Sequence, residues 1–336
     1  MKNNTSKKGI LLVNLGSPKS TEVKDVRTYL DEFLMDEYVI DYRWIFRAFL
    51  VQGIILKTRP PKSAAAYKTV WTEEGSPLIV LAEKLKNKFQ KLVDIPVEMG
   101  MRYANPSIEE GIKSLIDKGV TDIVLFPLYP QHAMSTTETV MDKAEEVRLK
   151  KFPNVNIKYV EPFYDRDFYI DCLAQSLKEK LPKDFDMLQF SYHGVPERHL
   201  YKLKPNDTPK TYSTKNIKNY REQCIETTNL VVEKMGLPKE KTIVSFQSRL
   251  GKDKWIEPYT DATLKSLPNK GVKKLAICCP AFVADCLETL EEISEEGKET
   301  FLHAGGKEFH YLPCLNDEEK WVEVVKTLCE EKLREF

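Results

Sequence analysis

Short apolar runs alternate with helix-period segments along the whole 336-residue chain. The runs are rich in β-branched and aromatic residues, and most of them are unbroken, as is typical of strands that are buried on both faces. They cover residues 9–16, 97–103, 122–130, 157–163, 186–193, 242–248, 272–280 and 308–313. Because such alternation is typical of parallel sheets with crossover helices, the sequence predicts an α/β fold.

Four predicted strands in each half of the chain favour two similar lobes, each a parallel four-stranded sheet flanked by helices, over one eight-stranded sheet. We expect one domain over residues 1–164 and a second over residues 165–314. The segment 315–336 has the pattern of an amphipathic helix, which we expect to pack across both lobes. Ligands of such folds bind outside the carboxyl ends of the strands, so a cleft between the lobes is the predicted site.

The composition excludes several classes of function. Lys plus Arg and Asp plus Glu are both 51, and this balance argues against nucleic acid as a partner. The first apolar stretch, residues 10–13, is shorter than the roughly 7–15 residues of a secretory signal, and no apolar run reaches the ~18 residues of a membrane span. The seven cysteines form no CxxC motif, so we expect reduced thiols in a cytoplasmic protein.

One segment, YRWIFRAFLVQGIILKTRPP (residues 42–61), interrupts the alternation because it is apolar and aromatic but also carries several cations. One interpretation is an ordinary buried helix. The other is an exposed lip that admits an apolar ligand or touches a membrane surface.

His193 ends a predicted strand in FSYHGVPERHL and is followed at once by Gly194 and Pro196. A neutral imidazole in this place suits a divalent iron ion, and it is also a base that works near neutral pH. The alternative is a structural histidine that hydrogen-bonds the turn. His199 is expected at the surface.

A dense series of carboxylates follows the seventh predicted strand in CPAFVADCLETLEEISEEG. Like charges four residues apart destabilise a helix by a few tenths of a kcal/mol per pair, so a purely structural helix would normally interleave lysines. The series is either a solvated helix face or a path for protons or a cation. It comprises Asp285, Glu288, Glu291, Glu292, Glu295 and Glu296.

Two further groups of polar residues suit a ligand that carries carboxylates. The turn after the third predicted strand, residues 135–137, is rich in hydroxyls and is either an N-cap cluster or a carboxylate site at a helix N-terminus. Arg59, Tyr67 and Ser76 are candidates for the same purpose.

Eight stretches, in order along nearly the whole chain, resemble the ferrochelatase family, whose members insert ferrous iron into a porphyrin. They are LLVNLGSP, TRPPKSAAAY, GSPL, MRYANP, LYPQHAMSTT, FSYHGVPERHL, SFQSRLGKDKWIEPYTD and CPAFVADCLETLEE. The resemblance implies two Rossmann-like lobes that hold the porphyrin between them, with residues 42–61 as the lip that admits it.

The resemblance also implies roles for individual residues. His193 and Glu288 match the pair assigned to iron binding and proton removal. Glu292 and Glu296 match the continuation of the family's acidic path, on a helix that is widened to a π-helix in relatives. Asp285, beside the predicted buried strand, is assigned to the same path from its position in the sequence. The positions that match porphyrin-binding residues are Leu15, Arg59, Tyr67, Ser76, Arg102, Tyr103, His132, Ser135 and Trp255.

The chain departs from the family pattern at several positions. Leu15 stands where some Gram-positive relatives that use coproporphyrin carry tyrosine, which favours protoporphyrin IX. His132 stands where many relatives have tyrosine, and Cys286 where animal enzymes have a second histidine. No cysteine-rich tail follows the last helix, so we expect no [2Fe–2S] cluster and no tightly bound cofactor.

The predicted function is therefore insertion of Fe²⁺, as a substrate, into protoporphyrin IX to give protohaem and two protons. The alternatives are a chelatase for another divalent metal or for coproporphyrin III, and a non-catalytic haem carrier, which would need no proton path. The predicted partners are porphyrin and ferrous iron, without nucleic acid. Peripheral membrane contact through the lip is an open alternative, and nothing in the sequence indicates an oligomeric state.

Overall fold

The computed structural model describes residues 7–202, 204–205, 218–249, 251 and 253–336, and it divides into two compact units. The first unit comprises the described residues up to Tyr129, Met134–Pro162 and Asp317–Phe336. The second comprises Pro130–Ala133 and Phe163–Asn316. The C-terminal segment thus groups with the first unit.

The first unit is built on a four-stranded sheet in the order β2-β1-β3-β4, in which every neighbouring pair is parallel. The strands are β1 (Lys8–Asn14), β2 (Val97–Met101), β3 (Asp122–Pro127) and β4 (Asn156–Tyr159). The helices are α1 (Val23–Leu34), α2 (Trp44–Leu50), α3 (Leu56–Val70), α4 (Pro77–Gln90), α5 (Ile108–Asp117) and α6 (Thr139–Lys151), with π-helices at Val51–Ile55 and Met134–Glu138.

The second unit repeats this architecture with the order β6-β5-β7-β8, again parallel throughout. The strands are β5 (Met187–His193), β6 (Thr242–Gln247), β7 (Lys274–Cys278) and β8 (Glu308–Leu312). The helices are α7 (Asp167–Lys180), α8 (Tyr220–Met235), α9 (Thr260–Ser266), the single turn α10 (Leu287–Thr289) and α11 (Lys298–His303), with a π-helix at Leu290–Gly297.

The eight predicted strands are confirmed, with observed ends that differ from the predicted ones by up to four residues. Their apolar sequences reflect burial on both faces: residues Ile10 to Val13 of β1 are at most 2% exposed. In the first unit, Leu11 packs in a core with Ile112 of α5 and Val140 of α6. In the second unit, Ile277 of β7 packs with side chains of α9 and α11.

The last helix, α12 (Glu319–Leu333), packs within the first unit against α4 and β3. Its apolar face includes Trp321, which is completely buried. Lys8 of β1 donates to the carbonyl of Leu333 at 2.8 Å, and Lys88 of α4 pairs with Asp317 at 2.9 Å. The sequence predicts that α12 packs across both lobes, and this stays a prediction. Among the described residues, no helix is both long enough and apolar enough to cross a bilayer.

The loop after β1 requires glycine because the backbone there passes very close to another strand end. Gly16 has a φ of +114°, and a Cβ on it would lie 1.9 Å from the carbonyl oxygen of Tyr103. The approach is fixed from the other side by the N–H of Tyr103, which donates to the carbonyl of Leu15 at 2.8 Å. Both dihedral strain and steric overlap therefore oppose any side chain at position 16.

We expect Gly16→Ala to lower the free energy of unfolding well beyond the matched variant Gly75→Ala. Gly75 has a similar φ of +125°, but no atom lies within 4 Å of the point that a Cβ would occupy, so alanine there adds only dihedral strain of about 1–3 kcal/mol. Overlap adds a further cost of about 1–3 kcal/mol at position 16. Urea unfolding followed by circular dichroism measures both variants, and equal midpoints would contradict the steric argument.

Candidate functional site

The candidate site in the second unit lies where the strand order changes direction. From β5 the chain moves to β6 on one side and then to β7 on the other, so β5 and β7 flank a topological switch point. Ligands of open parallel sheets bind at the carboxyl ends of the strands at such a point. His193 is the last residue of β5, and the segment after β7 leads directly into Glu288 of α10.

The surroundings of His193 determine which nitrogen of its ring is available. Nδ1 lies 2.7 Å from the carbonyl oxygen of Gly194, and because a carbonyl only accepts, Nδ1 carries the proton of the neutral ring. Nε2 then has a free lone pair that can accept a proton or bind a metal ion. The backbone of His193 is held by the hydroxyl of Tyr220, which donates to its carbonyl at 2.8 Å. His193 thus hydrogen-bonds the turn, as one interpretation of the sequence has it, and its role as a base or a metal ligand stays a prediction.

Glu292 is the carboxylate most closely tied to the end of β6. Ser248, which follows that strand and has a φ of +67°, donates its hydroxyl to the Glu292 carboxylate. Burial raises the pKa of Glu292, while the Ser248 hydroxyl and the nearby His193 act in the opposite direction and Glu288 raises it further. His193, Glu288 and Glu292 are thus brought together within electrostatic reach.

The rest of the acidic series becomes more exposed along the π-helix. Glu288 and Glu292 are partly buried, whereas Glu295 and Glu296 are exposed. Burial, followed by the charges of the neighbouring glutamates, raises the pKa of Glu291 to about 7. The acidic series thus runs from the partly buried Glu288, near the edge of the sheet, to Glu295 and Glu296 in solvent. The π-helix expected from the resemblance is present at Leu290–Gly297.

A pocket of about 220 Å³ opens beside this helix within the second unit. Its lining includes Gln247, Ser248, Arg249, Asp261, Glu292 and Glu296. Arg249 pairs with Asp261 at 3.2 Å, which neutralises one acid of the lining. The pocket therefore gives solvent access to the middle of the acidic series.

Asp285 has different surroundings from the other acidic residues. It is only 5% exposed, and its carboxylate accepts hydrogen bonds from the hydroxyls of Thr289 (3.0 Å) and Tyr311 (2.5 Å). The side-chain amide of Asn316 donates to its second oxygen at 2.7 Å. These bonds attach the start of α10 to the end of β8, so the described contacts of Asp285 are those of a residue that supports the path. Its membership of the path stays a prediction.

Cys286, at the position where animal relatives carry a histidine, is a buried thiol. Burial raises its pKa well above the usual value, and Glu288 raises it further, so the thiol stays protonated at neutral pH. Among the residues that the structure describes, no cluster of three or more His, Cys, Asp or Glu side chains is arranged to hold a metal ion.

The second unit also contains Trp255, His132 and His199. Trp255 pairs with Pro196 and packs on Gly194, whose added Cβ would lie 3.2 Å from the indole. The N–H of His132 donates to Gln223 of α8 at 2.8 Å. His199 is only 6% exposed, so the expectation that it lies at the surface is wrong, because the 3₁₀ turn Glu197–Tyr201 folds it inward.

In the first unit, Arg102 and Tyr103 at the end of β2 converge on Asp36, a residue that no sequence motif had singled out. The Asp36 carboxylate accepts from the guanidinium of Arg102, from the hydroxyl of Tyr103 (2.7 Å) and from the hydroxyl of Thr139 (2.6 Å). Tyr103 is completely buried, and burial raises its pKa well above the usual value, with Asp36 adding to the effect. Tyr103 thus donates as a neutral phenol that orients Asp36, which in turn orients Arg102.

The remaining predicted positions of the first unit lie on separate elements. Arg59 is partly exposed on α3, whereas Tyr67 of the same helix is buried edge-on against Tyr29. Ser76 is buried at the N-cap of α4, but its side chain makes no capping hydrogen bond. Leu15 and Ser135 are partly buried, at the end of β1 and in the π-helix Met134–Glu138.

Helix α2 in the predicted lip has an inverted amphipathic pattern, because its arginine is buried while most of its apolar side chains are exposed. Arg47 is 6% exposed and donates to the carbonyls of Ile40 (3.1 Å) and Tyr42 (2.9 Å). The most exposed apolar side chains of α2, at 63–70%, are Trp44, Ile45, Phe46 and Phe49. The interpretation of residues 42–61 as an ordinary buried helix is therefore wrong.

We expect Glu291→Gln to raise the urea midpoint at pH 8 and to leave it unchanged at pH 4. The pKa of Glu291 in the folded protein, about 7, lies above the usual 4.5, so the folded state binds more protons between these values. The contribution of Glu291 to stability therefore falls as the pH rises from 4.5 to 7, and glutamine removes this loss. Glu146, whose pKa Lys150 and Lys143 lower to about 2, is a control of opposite sign. Glu146→Gln should lower the urea midpoint at pH 8. If Glu291→Gln and Glu146→Gln shift the midpoint in the same direction, this account is contradicted.

Comparisons with known proteins show the family of the chain. The sequence model of the family described as Ferrochelatase matches residues 7–333. The ferrochelatase of Pseudomonas fluorescens (strain Pf0-1) is 50% identical over 331 residues, which cover 96% of this chain and 97% of the relative. That of Ectopseudomonas mendocina (strain ymp) is 49% identical over 330 residues, with coverage of 96% and 97%.

Solved structures support the fold. SirB from Bacillus subtilis with Fe³⁺ superposes with a TM-score of 0.57 at 14% identity, over 98% of this chain and 95% of that one. The cobalt complex of the sirohydrochlorin chelatase SirB from Bacillus subtilis subspecies spizizenii gives 0.55 at 12% identity, over 98% and 94%. Since the family model spans almost the whole sequence and relatives share half of its residues, the chain belongs to the ferrochelatase family.

Proposed function

We propose that this member of the family inserts Fe²⁺ into protoporphyrin IX, with His193 and Glu288 at the reacting centre. Family membership makes the protein a metal chelatase, a lyase that acts by metal insertion in haem biosynthesis. The observation that carries the finer proposal is the free Nε2 of His193 at the strand end, within electrostatic reach of Glu292 and its neighbour Glu288. This arrangement offers a base for the porphyrin and carboxylates for the protons or the metal.

The chemistry requires two protons to leave. A porphyrin carries two pyrrole N–H groups, and both N–H bonds must break before its four nitrogens can bind a divalent ion in the ring plane. His193 Nε2 accepts a pyrrole proton, and the second leaves through the carboxylate that begins the series. The products are haem and two protons, so charge and atoms balance without a redox step.

A flat porphyrin directs its lone pairs into the ring, where an incoming ion cannot reach them. We infer that the protein binds the ring bent, at a cost of about 1–5 kcal/mol supplied by contacts elsewhere on the substrate. The proposed contacts are those of the matched positions: Leu15, Arg59, Tyr67, Ser76, Arg102, Tyr103, His132, Ser135 and Trp255. In this set Tyr103 acts through Asp36 on Arg102.

The series Glu288, Glu292 and Glu296 is the proposed route to solvent. Exposure increases from Glu292 to Glu296, and burial raises the pKa of Glu292, which makes its carboxylate a better proton acceptor. Asp285 contributes by fixing the start of the series through Thr289. The same oxygens can carry a divalent ion in the other direction.

The proposed function also covers the entry of the porphyrin, the type of porphyrin and the absence of a cofactor. The exposed apolar face of α2 is the lip that admits the porphyrin, with contact to a membrane surface as a second role. Leu15 favours protoporphyrin IX over coproporphyrin III. The cysteines lack the spacing of a cluster site, and we propose no [2Fe–2S] cluster. We retain Fe²⁺ as a substrate and propose no resident cofactor.

The test is anaerobic conversion of protoporphyrin IX with Fe²⁺, followed by absorption spectroscopy for the wild type, His193→Ala and Glu288→Gln. We expect haem formation by the wild type and a loss of kcat of at least about 100-fold in both variants, because each removes a group that handles a proton. Porphyrin binding, measured by fluorescence quenching, should persist in both.

Three controls separate the alternatives. Coproporphyrin III in place of protoporphyrin IX tests the substrate, and Co²⁺ or Ni²⁺ in place of Fe²⁺ tests the metal. His310→Ala removes a histidine of β8 that interacts with Glu308 at 3.5 Å, and it should retain full activity. Faster conversion of coproporphyrin or of another metal would replace the proposed substrates, and full activity of His193→Ala would refute the assignment of the base.

A further inference from the structure

Beneath the acidic π-helix, five buried polar side chains form a continuous chain of hydrogen bonds within the second unit. Gln189 Nε2 donates to Ser245 Oγ at 2.7 Å, and Ser245 Oγ lies 2.8 Å from Thr260 Oγ1. Thr260 Oγ1 lies 2.8 Å from Ser191 Oγ, which donates to Gln247 Oε1 at 2.8 Å. All five residues are at most 3% exposed.

The chain ends at the acidic series. The side-chain Nε2 of Gln247 donates to the backbone carbonyl of Glu288 at 2.8 Å and approaches the Glu292 carboxylate at 3.5 Å. Gln247 is also the residue opposite His193 in the parallel register of β5 and β6. Gln247 therefore contacts the backbone of Glu288, one proposed reacting group, and lies opposite His193, the other, in the sheet.

The direction of every hydrogen bond in the chain follows from its end at Glu288. A backbone carbonyl only accepts, so Gln247 must present its NH₂ group there and its oxygen to Ser191. Ser191 has one proton, which it gives to Gln247, so it must accept from Thr260, and Thr260 must accept from Ser245. The thiol of Cys279, 3.6 Å from Gln247 Oε1, donates to the same oxygen. Reversal of the chain would place a carbonyl oxygen of Gln247 against that of Glu288.

We propose that Gln247 is a positioning residue for the acidic π-helix and that the hydroxyl of Thr260 fixes its amide in the required orientation. The aligned bonds polarise one another, which strengthens the final donor at Glu288 and Glu292. Thr260 is the centre of the chain because it is bonded to a serine on each of two neighbouring strands. This role concerns the same site as the proposed function, and its effect on catalysis rests on that function.

Thr260 permits a test that separates the hydroxyl from the volume of the side chain. Thr260→Val keeps the shape and removes the hydroxyl, whereas Thr260→Ser keeps the hydroxyl and removes a methyl group. Thr228 of α8 supplies the matched control, since its buried hydroxyl lies 2.8 Å from that of Tyr192 in the same unit and does not contact the chain. Thr260→Val, Thr260→Ser, Thr228→Val and Thr228→Ser are compared with the wild type for kcat and for the KM of porphyrin and of Fe²⁺.

We expect Thr260→Val to lower kcat at least tenfold with the porphyrin KM within twofold, and Thr260→Ser to stay within threefold of the wild-type kcat. Both Thr228 variants should retain kcat within twofold. If Thr260→Val and Thr228→Val have the same kcat, or if Thr260→Ser is as slow as Thr260→Val, the positioning role is refuted.

Should Thr260→Val fail to fold, Gln247→Glu decides instead. Glutamate retains the acceptor for Ser191 but places an oxygen against the carbonyl of Glu288. A wild-type kcat in Gln247→Glu overturns the proposal.

A second measurement does not depend on catalysis. Hydrogen–deuterium exchange of the metal-free protein reports the amides of residues 288–293, and we expect exchange at least tenfold faster in Thr260→Val than in Thr228→Val. Unchanged exchange refutes the positioning role even if the wild type is active. Faster exchange combined with no metal insertion by the wild type supports positioning and refutes the proposed function alone.

Discussion

The parallel alignment of β5 with β6 and β7 is the constraint on which the candidate site depends. Parallel strands end at the same edge of a sheet, so the carboxyl ends of β5 and β6 place His193 and Gln247 opposite each other. Strand β7 then delivers the segment that carries Glu288 to this edge. Sheet geometry, rather than any local motif, therefore brings an imidazole and a series of carboxylates together.

Burial of polar groups at this edge is tolerated because almost every group has a partner. An unsatisfied buried donor or acceptor costs about 1–3 kcal/mol, so loss of any one hydroxyl between Gln189 and Gln247 would leave its neighbours without a partner at that cost. Asp285 is satisfied in the same way by Thr289, Tyr311 and Asn316. Gln189 Oε1, at the far end of the chain, is a buried acceptor without a hydrogen-bond partner. Burial also raises the pKa values of Glu291 and Glu292, and the surrounding bonds hold these carboxyl groups in place.

The two units share one strand order, and in each of them a π-helix follows the third strand of the sheet. In the first unit this π-helix is the hydroxyl-rich Met134–Glu138, and in the second it is the acidic Leu290–Gly297. The same irregularity thus presents neutral oxygens in one unit and carboxylates in the other. A π-turn is rare and occurs frequently at functional sites, in agreement with the roles proposed for Ser135 and for the acidic series.

The eight strands, the position of His193 at a strand end and the acidic series were all predictable from the sequence, because local apolar runs and charge spacing determine them. The widened helix was predictable only through the resemblance to the family. The contacts of Asp36 with Arg102 and of Thr260 with Ser191 had no sequence signal, since they join residues 66 and 69 positions apart. The inward position of His199 was also missed, because burial of a short turn depends on what packs over it.

The sequence by itself determined which elements form and which chemical groups they carry, since backbone preference and side-chain type are local properties. Only the tertiary structure decided which way those groups face. It turned Arg47 inward and the aromatic residues of α2 outward, and it committed the Asp285 carboxylate to three side-chain partners. Strand register and helix packing fix such directions, and both arise from contacts between distant parts of the chain.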